Sequence, residues 1–210
     1  MLTKKTFLSI MVLAFSVMLS AQTKTNITAE ELLGRCSKSL ETEGAKKIDF
    51  VINGNGETYP GTLTFNGRLF TMTAPGIRVW FDGTTQWTLV EDQNCVNITE
   101  PGDDELLETN PLVILLNYKK HYTARRIKGA PTGQKRVELT PKGQTYTGIK
   151  KAEIDFSDKT GLPSSLSLTF DNGSKVQAKI KEIQTIKKPA ASAFKFNPKS
   201  YPGLEIVDLR

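Results

Sequence analysis

The chain holds one histidine, His121, and two cysteines, Cys36 and Cys95, and these residues bound the chemistry open to it. His121 stands among Lys119, Lys120 and Tyr122, and no Gly-x-Ser-x-Gly or comparable nucleophile elbow accompanies it. A surface histidine at the carbonyl end of a helix explains it without catalysis. The carboxylates Asp103, Asp104, Glu105 and Glu108 could pair as in a glycosidase or hold Ca²⁺. They lack the Asp-x-Asp-x-Asp-Gly order of a calcium loop, and the first turn of a helix is their plainer use. One histidine and no Cys-x-x-Cys spacing leave zinc without a ligand set. The sequence therefore points away from an enzyme, a cofactor or a metal. Cys36 and Cys95 form either a disulfide or two buried thiols, because spacing alone does not give a Cα separation.

What the chain has instead of reactive groups is grease. Asn110-Pro111-Leu112-Val113-Ile114-Leu115-Leu116 carries five consecutive apolar residues in a chain otherwise patterned as short strands. Asn110 is a good N-cap, Pro111 suits the first turn, and Lys119, Lys120 and His121 suit the carbonyl end, so a short helix is expected over 110–120. A run apolar on every side is unlike a surface helix and too short to cross a bilayer. It must sit in a core or roof a cavity.

The elements around it begin with a leader. Lys4 and Lys5, the apolar stretch Phe7–Leu19 and the small pair Ser20-Ala21 read as a signal peptide over residues 1–21. A membrane anchor is disfavoured, since the apolar run is shorter than the roughly 18 residues a span requires. No cysteine follows at the cut, so a soluble, exported chain without a lipid anchor is expected. Residues 22–210 then make a single domain. The leader removes two lysines and no acid, which lowers the formal charge from +6 to +4. The remaining lysines are scattered between strand positions, as on a solvated surface, and form no block for nucleic acid.

Thr28-Ala29-Glu30-Glu31 has capping-box spacing, and Leu32, Leu33, Cys36 and Leu40 make one stripe of a helix over 28–43, stopped at Gly44. Strand signals follow: Ile48–Ile52, Leu63–Phe65, Arg68–Thr73 after the Asn66-Gly67 hairpin, Ile77–Phe81 and, beyond Asp82-Gly83, Trp87–Leu89 and Cys95–Thr99. Trp87 shares a face with Leu89 and is expected inward, whereas Trp80 shares one with Arg78 and is expected outward. After the apolar helix the alternation resumes over 122–128, 135–140, 149–156, 166–170 and 176–186. Phe194 and Phe196 are expected on one side of an edge strand, and 204–207 as a last strand. About 11 antiparallel strands with two helices make a sheet too wide to stay flat. Its apolar concave side has only those helices for cover.

The order of these pieces resembles a known family. The leader, the first helix, Asp82-Gly83-Thr84-Thr85-Gln86-Trp87, the Asn110-Pro111-Leu112 helix, and the closing Phe194-Lys195-Phe196-Asn197-Pro198 and Gly203-Leu204-Glu205-Ile206-Val207-Asp208 together resemble the outer-membrane lipoprotein carrier LolA over nearly the whole mature chain. The resemblance implies a mainly β fold with helices, an incomplete antiparallel barrel under a helical lid, LolA/LppX-like. It implies a monomeric periplasmic carrier that takes acylated lipoproteins from an inner-membrane ABC exporter to an outer-membrane acceptor. The family's basic residue followed by proline after the second strand is missing from Phe65-Asn66-Gly67-Arg68-Leu69-Phe70. The resemblance makes Arg68 the candidate lid lock and implies a divergent member.

The expected acyl-chain cavity and lid comprise Phe50, Leu63, Phe65, Phe70, Met72, Val79, Phe81, Trp87 and Leu89 with Leu112, Ile114, Leu115 and Leu116. Sequestering an acyl chain gains about 0.8 kcal/mol per CH₂, so a carrier that must release needs an internal competitor. A lid helix filling the empty cavity would be one. The alternatives are a periplasmic lipoprotein-sensing module of the same fold that binds an anti-sigma factor, and a β domain without a cavity.

Overall fold

The computed structural model describes residues 27–42, 44–54, 57–102, 105–106, 113–143 and 148–210. The leader and the Asn110-Pro111-Leu112 start of the apolar helix lie outside the described residues. Helix α1 (Ala29–Leu40) opens on the capping box: the Thr28 hydroxyl accepts from the Glu31 N–H at 3.1 Å, and the Glu31 carboxylate accepts from the Thr28 N–H at 2.9 Å. It ends earlier than the sequence suggests, at the Glu41 cap. Gly44, at φ 92°, turns the chain into the sheet, a backbone state that suits glycine.

The rest of the chain is one twelve-stranded sheet. Its strands are β1 (Ala45–Gly54), β2 (Glu57–Asn66), β3 (Leu69–Ala74), β4 (Ile77–Phe81), β5 (Gln86–Val90), β6 (Cys95–Thr99), β7 (Tyr122–Ile127), β8 (Gln134–Pro141), β9 (Ile149–Ser157), β10 (Pro163–Phe170), β11 (Lys175–Ile186) and β12 (Glu205–Asp208). Helix α2 (Val113–His121) runs directly into β7. The spatial order is β12-β6-β5-β4-β3-β2-β1-β11-β10-β9-β8-β7, with β12 and β7 at opposite ends, so the sheet is unclosed. All neighbours are antiparallel except β12, which runs parallel to β6. The expected meander is present, with β12 as a parallel edge in addition.

A register shift at Asp49/Phe50 bends the pairing of β1 with β11, the strand pair that joins the two halves of the sheet. Gly61 lies opposite Phe50 on β2, and a Cβ there would run into the Phe50 ring. Glycine here lets the ring lie across its neighbour.

The two faces of the sheet carry separate apolar clusters. The larger one joins α1, α2 and strands from both halves: Leu33, Ile48, Phe70, Phe81, Ile114, Leu139, Ile154 and Phe156 are all essentially excluded from solvent within it. The smaller joins Leu89 and Val96 to Phe196, with Trp80, Trp87, Tyr201 and Leu204 packed around them. Phe194 and Phe196 are not on an edge strand. Two short 3₁₀ turns, Ala191–Phe194 and Pro198–Ser200, hold that segment, which suits a stretch where Pro189 and Pro198 lack the N–H a strand would use. The first turn packs on β3 and buries Phe194.

On the outer face of the other half, Arg136 and Asp155 form a two-pronged pair, Nε to Oδ1 at 2.6 Å and Nη2 to Oδ2 at 2.7 Å. The Ser165 hydroxyl adds a third bond to the same carboxylate at 3.0 Å. These residues sit opposite one another on β8, β9 and β10, so the buried Asp155 charge is matched across three strands.

Candidate functional site: the apolar face beneath two helices

The face with the larger cluster is the one the helices cover. From α1 it receives Ala29, Leu32, Leu33, Cys36 and Leu40, the stripe expected from the spacing. From α2 it receives Ile114, Leu115 and Tyr118, while Lys119 and Lys120 are exposed. α1 and α2 touch each other, and both lie against β7.

α1 is tied at both ends. The Arg126 guanidinium on β7 donates to the Ile27 carbonyl at 3.0 Å, just ahead of the helix. Beyond its far end, the buried Lys46 ammonium donates to the hydroxyls of Thr42 at 2.9 Å and Thr185 at 2.8 Å. Lys46 thereby links the segment after α1 to β11. These bonds satisfy a charge that burial would otherwise penalise.

α2 is held differently. Its described buried side chains, Ile114, Leu115 and Tyr118, pack in the apolar cluster, and the Tyr118 hydroxyl is buried without a hydrogen-bond partner among the described residues. At the exposed carbonyl end Lys142 donates to the Lys119 carbonyl at 2.6 Å and the His121 carbonyl at 2.8 Å. Burial, then the charge of Glu30, raises the Tyr118 pKa. An orphaned hydroxyl costs about 1–3 kcal/mol, so the seat of α2 is less favourable than its apolar contacts alone would make it.

Cys36 and Cys95 are both free and buried, so of the two states left open by the sequence the structure has the separate thiols. Cys36 lies beneath α1 in the main cluster, and burial pushes its thiol up to about 12. It is a packing residue with very little thiolate.

Most expected lining residues converge. Leu63, Phe65, Phe70, Val79, Phe81, Ile114 and Leu115 are buried in the main cluster, and Phe50 and Met72 pack against it half-buried. Trp87 and Leu89 do not belong there. The loop after β4 pairs Phe81 with Gln86, Trp80 with Trp87 and Arg78 with Leu89. Directly paired residues share a face, so Trp87 and Leu89 lie on the outer side with Trp80 and Arg78. The inward positions of β5 are Gln86, Thr88 and Val90. Leu112 and the side chain of Leu116 lie outside the described residues, and Arg68 is exposed in the β2–β3 turn.

The lining expected from the sequence also omits half of the face. Val137, Leu139, Ala152, Ile154, Phe156, Leu166 and Leu168 close the cluster from β8, β9 and β10. The alternation of Leu166 and Leu168 with serines was the available signal. The outward aromatic cluster was hidden, because it depends on the C-terminal segment folding back: Trp80 meets Phe196 at 5.5 Å and Tyr201 at 5.6 Å between ring centroids.

A helix-roofed apolar face inside an unclosed sheet narrows the relatives to be considered. The family model described as outer membrane lipoprotein carrier protein LolA matches residues 68–197. The chain belongs to the LolA family. It is a divergent member, and no curated protein matches it. The LolA-like fold recurs in solved structures of low identity. An uncharacterized conserved protein from Thermus thermophilus superposes with a TM-score of 0.59 at 14% identity, covering 86% of this chain and 98% of that one. A DUF1329 family protein from Desulfovibrio piger gives 0.51 at 11% identity, over 83% and 98%. A LolA superfamily protein from Nitrosomonas europaea gives 0.45 at 8% identity, over 81% and 98%. For the first two, at these identities, the likeness is one of fold. No helix among the described residues is long and apolar enough to cross a membrane.

Proposed function

We propose that this LolA family member is a periplasmic carrier that binds the acyl chains of lipoproteins against its concave face and moves them from the inner to the outer membrane. On this reading an inner-membrane ABC exporter loads it, and an outer-membrane acceptor, where one exists, unloads it. The observation that carries the proposal is the single apolar cluster joining both helices to both halves of an open sheet.

The physics of carriage favours such a closed, filled state. Burying a sixteen-carbon acyl chain gains roughly 12 kcal/mol, and a lipoprotein bears more than one chain. A permanently open cavity would hold them too well. With Ile114, Leu115 and Tyr118 occupying the face, an entering chain must displace protein contacts, and its net affinity falls by their worth. α1, tied through Arg126 and Lys46, is the fixed part of this cover. α2, whose described buried contacts are apolar, is the part that moves.

Titration with an apolar fluorophore, followed by displacement with a diacylated lipopeptide, tests the reading. Saturable fluorophore binding that the lipopeptide reverses is expected. Absence of saturable binding would leave a β domain without a cavity.

A further inference from the structure

On β5 and β6 the sheet's polarity is inverted. Their outward residues are apolar, with Trp87 opposite Ile98 and Leu89 opposite Val96. Four of their inward residues are polar and uncharged, with Gln86 opposite Thr99 and Thr88 opposite Asn97, and only the Val90–Cys95 pair beyond them is apolar. The strip continues the greasy surface directly, since Gln86 and Thr88 lie opposite Phe81 and Val79. A sheet built only to make a core would face Trp87, Leu89 and Val96 inward. Here the C-terminal segment is used instead to cover them, through Phe196, Tyr201 and Leu204.

The strip has hydrogen-bonding capacity to offer. Gln86 is buried, at 7% exposure, and its side-chain amide donates to the Thr88 hydroxyl at 3.2 Å, which leaves the Thr88 proton to give. The Asn97 amide and Thr99 hydroxyl are half-buried and make no side-chain hydrogen bond among the described residues. The inward positions of β4, β5 and β6 are Ile77, Val79, Phe81, Gln86, Thr88, Val90, Cys95, Asn97 and Thr99, none of them charged. Glu205, opposite Cys95 on β12, adds the only charge at that end of the face among the described strand residues, and it is negative.

We infer that Thr88, Asn97 and Thr99 form a polar subsite that takes the uncharged head of an acyl-bearing ligand, donating hydrogen bonds to its ester and amide carbonyls, with Gln86 orienting the Thr88 hydroxyl. The inference rests on the acyl-carrier reading and refines it. Ester and amide carbonyls only accept, and side-chain amides and hydroxyls supply the donors they need. A free fatty acid brings a carboxylate, for which this strip holds no cation and which Glu205 repels. The site thus prefers acyl chains in ester or amide linkage, as on a lipidated protein terminus, over free acids.

The test measures displacement of an apolar fluorophore from the mature protein by a synthetic diacylglyceryl-cysteine peptide and by the free fatty acid of the same chain length. The wild type is expected to bind the lipopeptide more tightly than the acid. Thr88→Val combined with Asn97→Leu should lower lipopeptide affinity about tenfold, while affinity for the fluorophore and the acid changes less than twofold. Thr88→Ser, which keeps the hydroxyl, should retain wild-type affinity. If the double variant does not fold, Thr88→Val alone carries the comparison, with a correspondingly smaller loss. Unchanged lipopeptide affinity, with fluorophore binding intact, overturns the polar subsite and leaves the carrier reading standing. Failure of the wild type to bind either acyl probe overturns both.

Discussion

Replacing Leu115 with alanine separates a lid from a wall. Leu115 is 2% exposed and lies in the cluster between α2 and the sheet. Truncating a buried leucine costs about 2–5 kcal/mol, and a value near 3 is about a third of the stability of a typical domain. For a domain of this size that lowers Tm by roughly 6–12 °C. An ordinary core residue would stop there. If α2 competes with acyl chains, the lost contacts stabilised only the empty, closed state, and the loaded state had already given them up. Ligand affinity must then rise as stability falls, by up to about 100-fold if all 3 kcal/mol are surrendered on opening. Urea unfolding followed by tryptophan fluorescence gives the first quantity, and fluorophore titration gives the second. Leu139→Ala, deep in β8 and fully buried, is the control that should lose stability without gaining affinity. A Leu115→Ala protein that is less stable and binds no more tightly would refute lid competition.

The remaining predictions use other parts of the same framework. Tyr118→Phe removes the unpartnered hydroxyl from the closed state, so stability should rise by about 1 kcal/mol and acyl affinity should fall about fivefold, measured by the same two assays. Gly61→Ala forces the Phe50 ring from its place across β2 and should destabilise the fold by about 1–3 kcal/mol, read as a lower urea midpoint. Cys36, buried under α1 with its thiol pushed up to about 12, should react with iodoacetamide no faster than the main cluster opens. Mass-spectrometric labelling checks this, and prompt modification of native protein would contradict the buried placement. Asp82 anchors the C-terminal segment through Lys195 at 3.1 Å. Burial opposes its ionisation, but the N–H groups of Thr85 and Thr84 and the Lys195 charge outweigh it and lower its pKa. A lowered pKa contributes stability that is present above the unfolded value and lost as pH falls through the folded one. Acid below about pH 4 should therefore loosen the segment and change Trp80 emission, and Lys195→Met should reduce that acid response.

The sequence foretold these features unevenly, for physical reasons. The start of α1 was legible because a capping box is a local motif whose bonds span three residues. The strands were legible through alternation, and the lining from Phe50 to Phe81 followed. Parity, however, is reset at every turn. Nothing local states that the four residues Asp82–Thr85 place Trp87 across from Trp80, and an apolar pair such as Trp87 and Leu89 looks inward until its cover is known. That cover comes from residues more than a hundred positions later. The parallel pairing of β12 is equally non-local, since Glu205 lies beside Cys95 only because the preceding segment crosses the outer face. In the described part of α2, Ile114, Leu115 and Tyr118 are buried, while Lys119 and Lys120, expected at the carbonyl end from their charge, are exposed.

Carriage itself is tested most directly by adding the purified mature protein to spheroplasts making a lipoprotein and asking what leaves the membrane. The expected result is a soluble complex of carrier and lipoprotein in the medium, more abundant for the Leu115→Ala variant at limiting protein. A lipoprotein that stays with the spheroplasts at every concentration would contradict the carrier function.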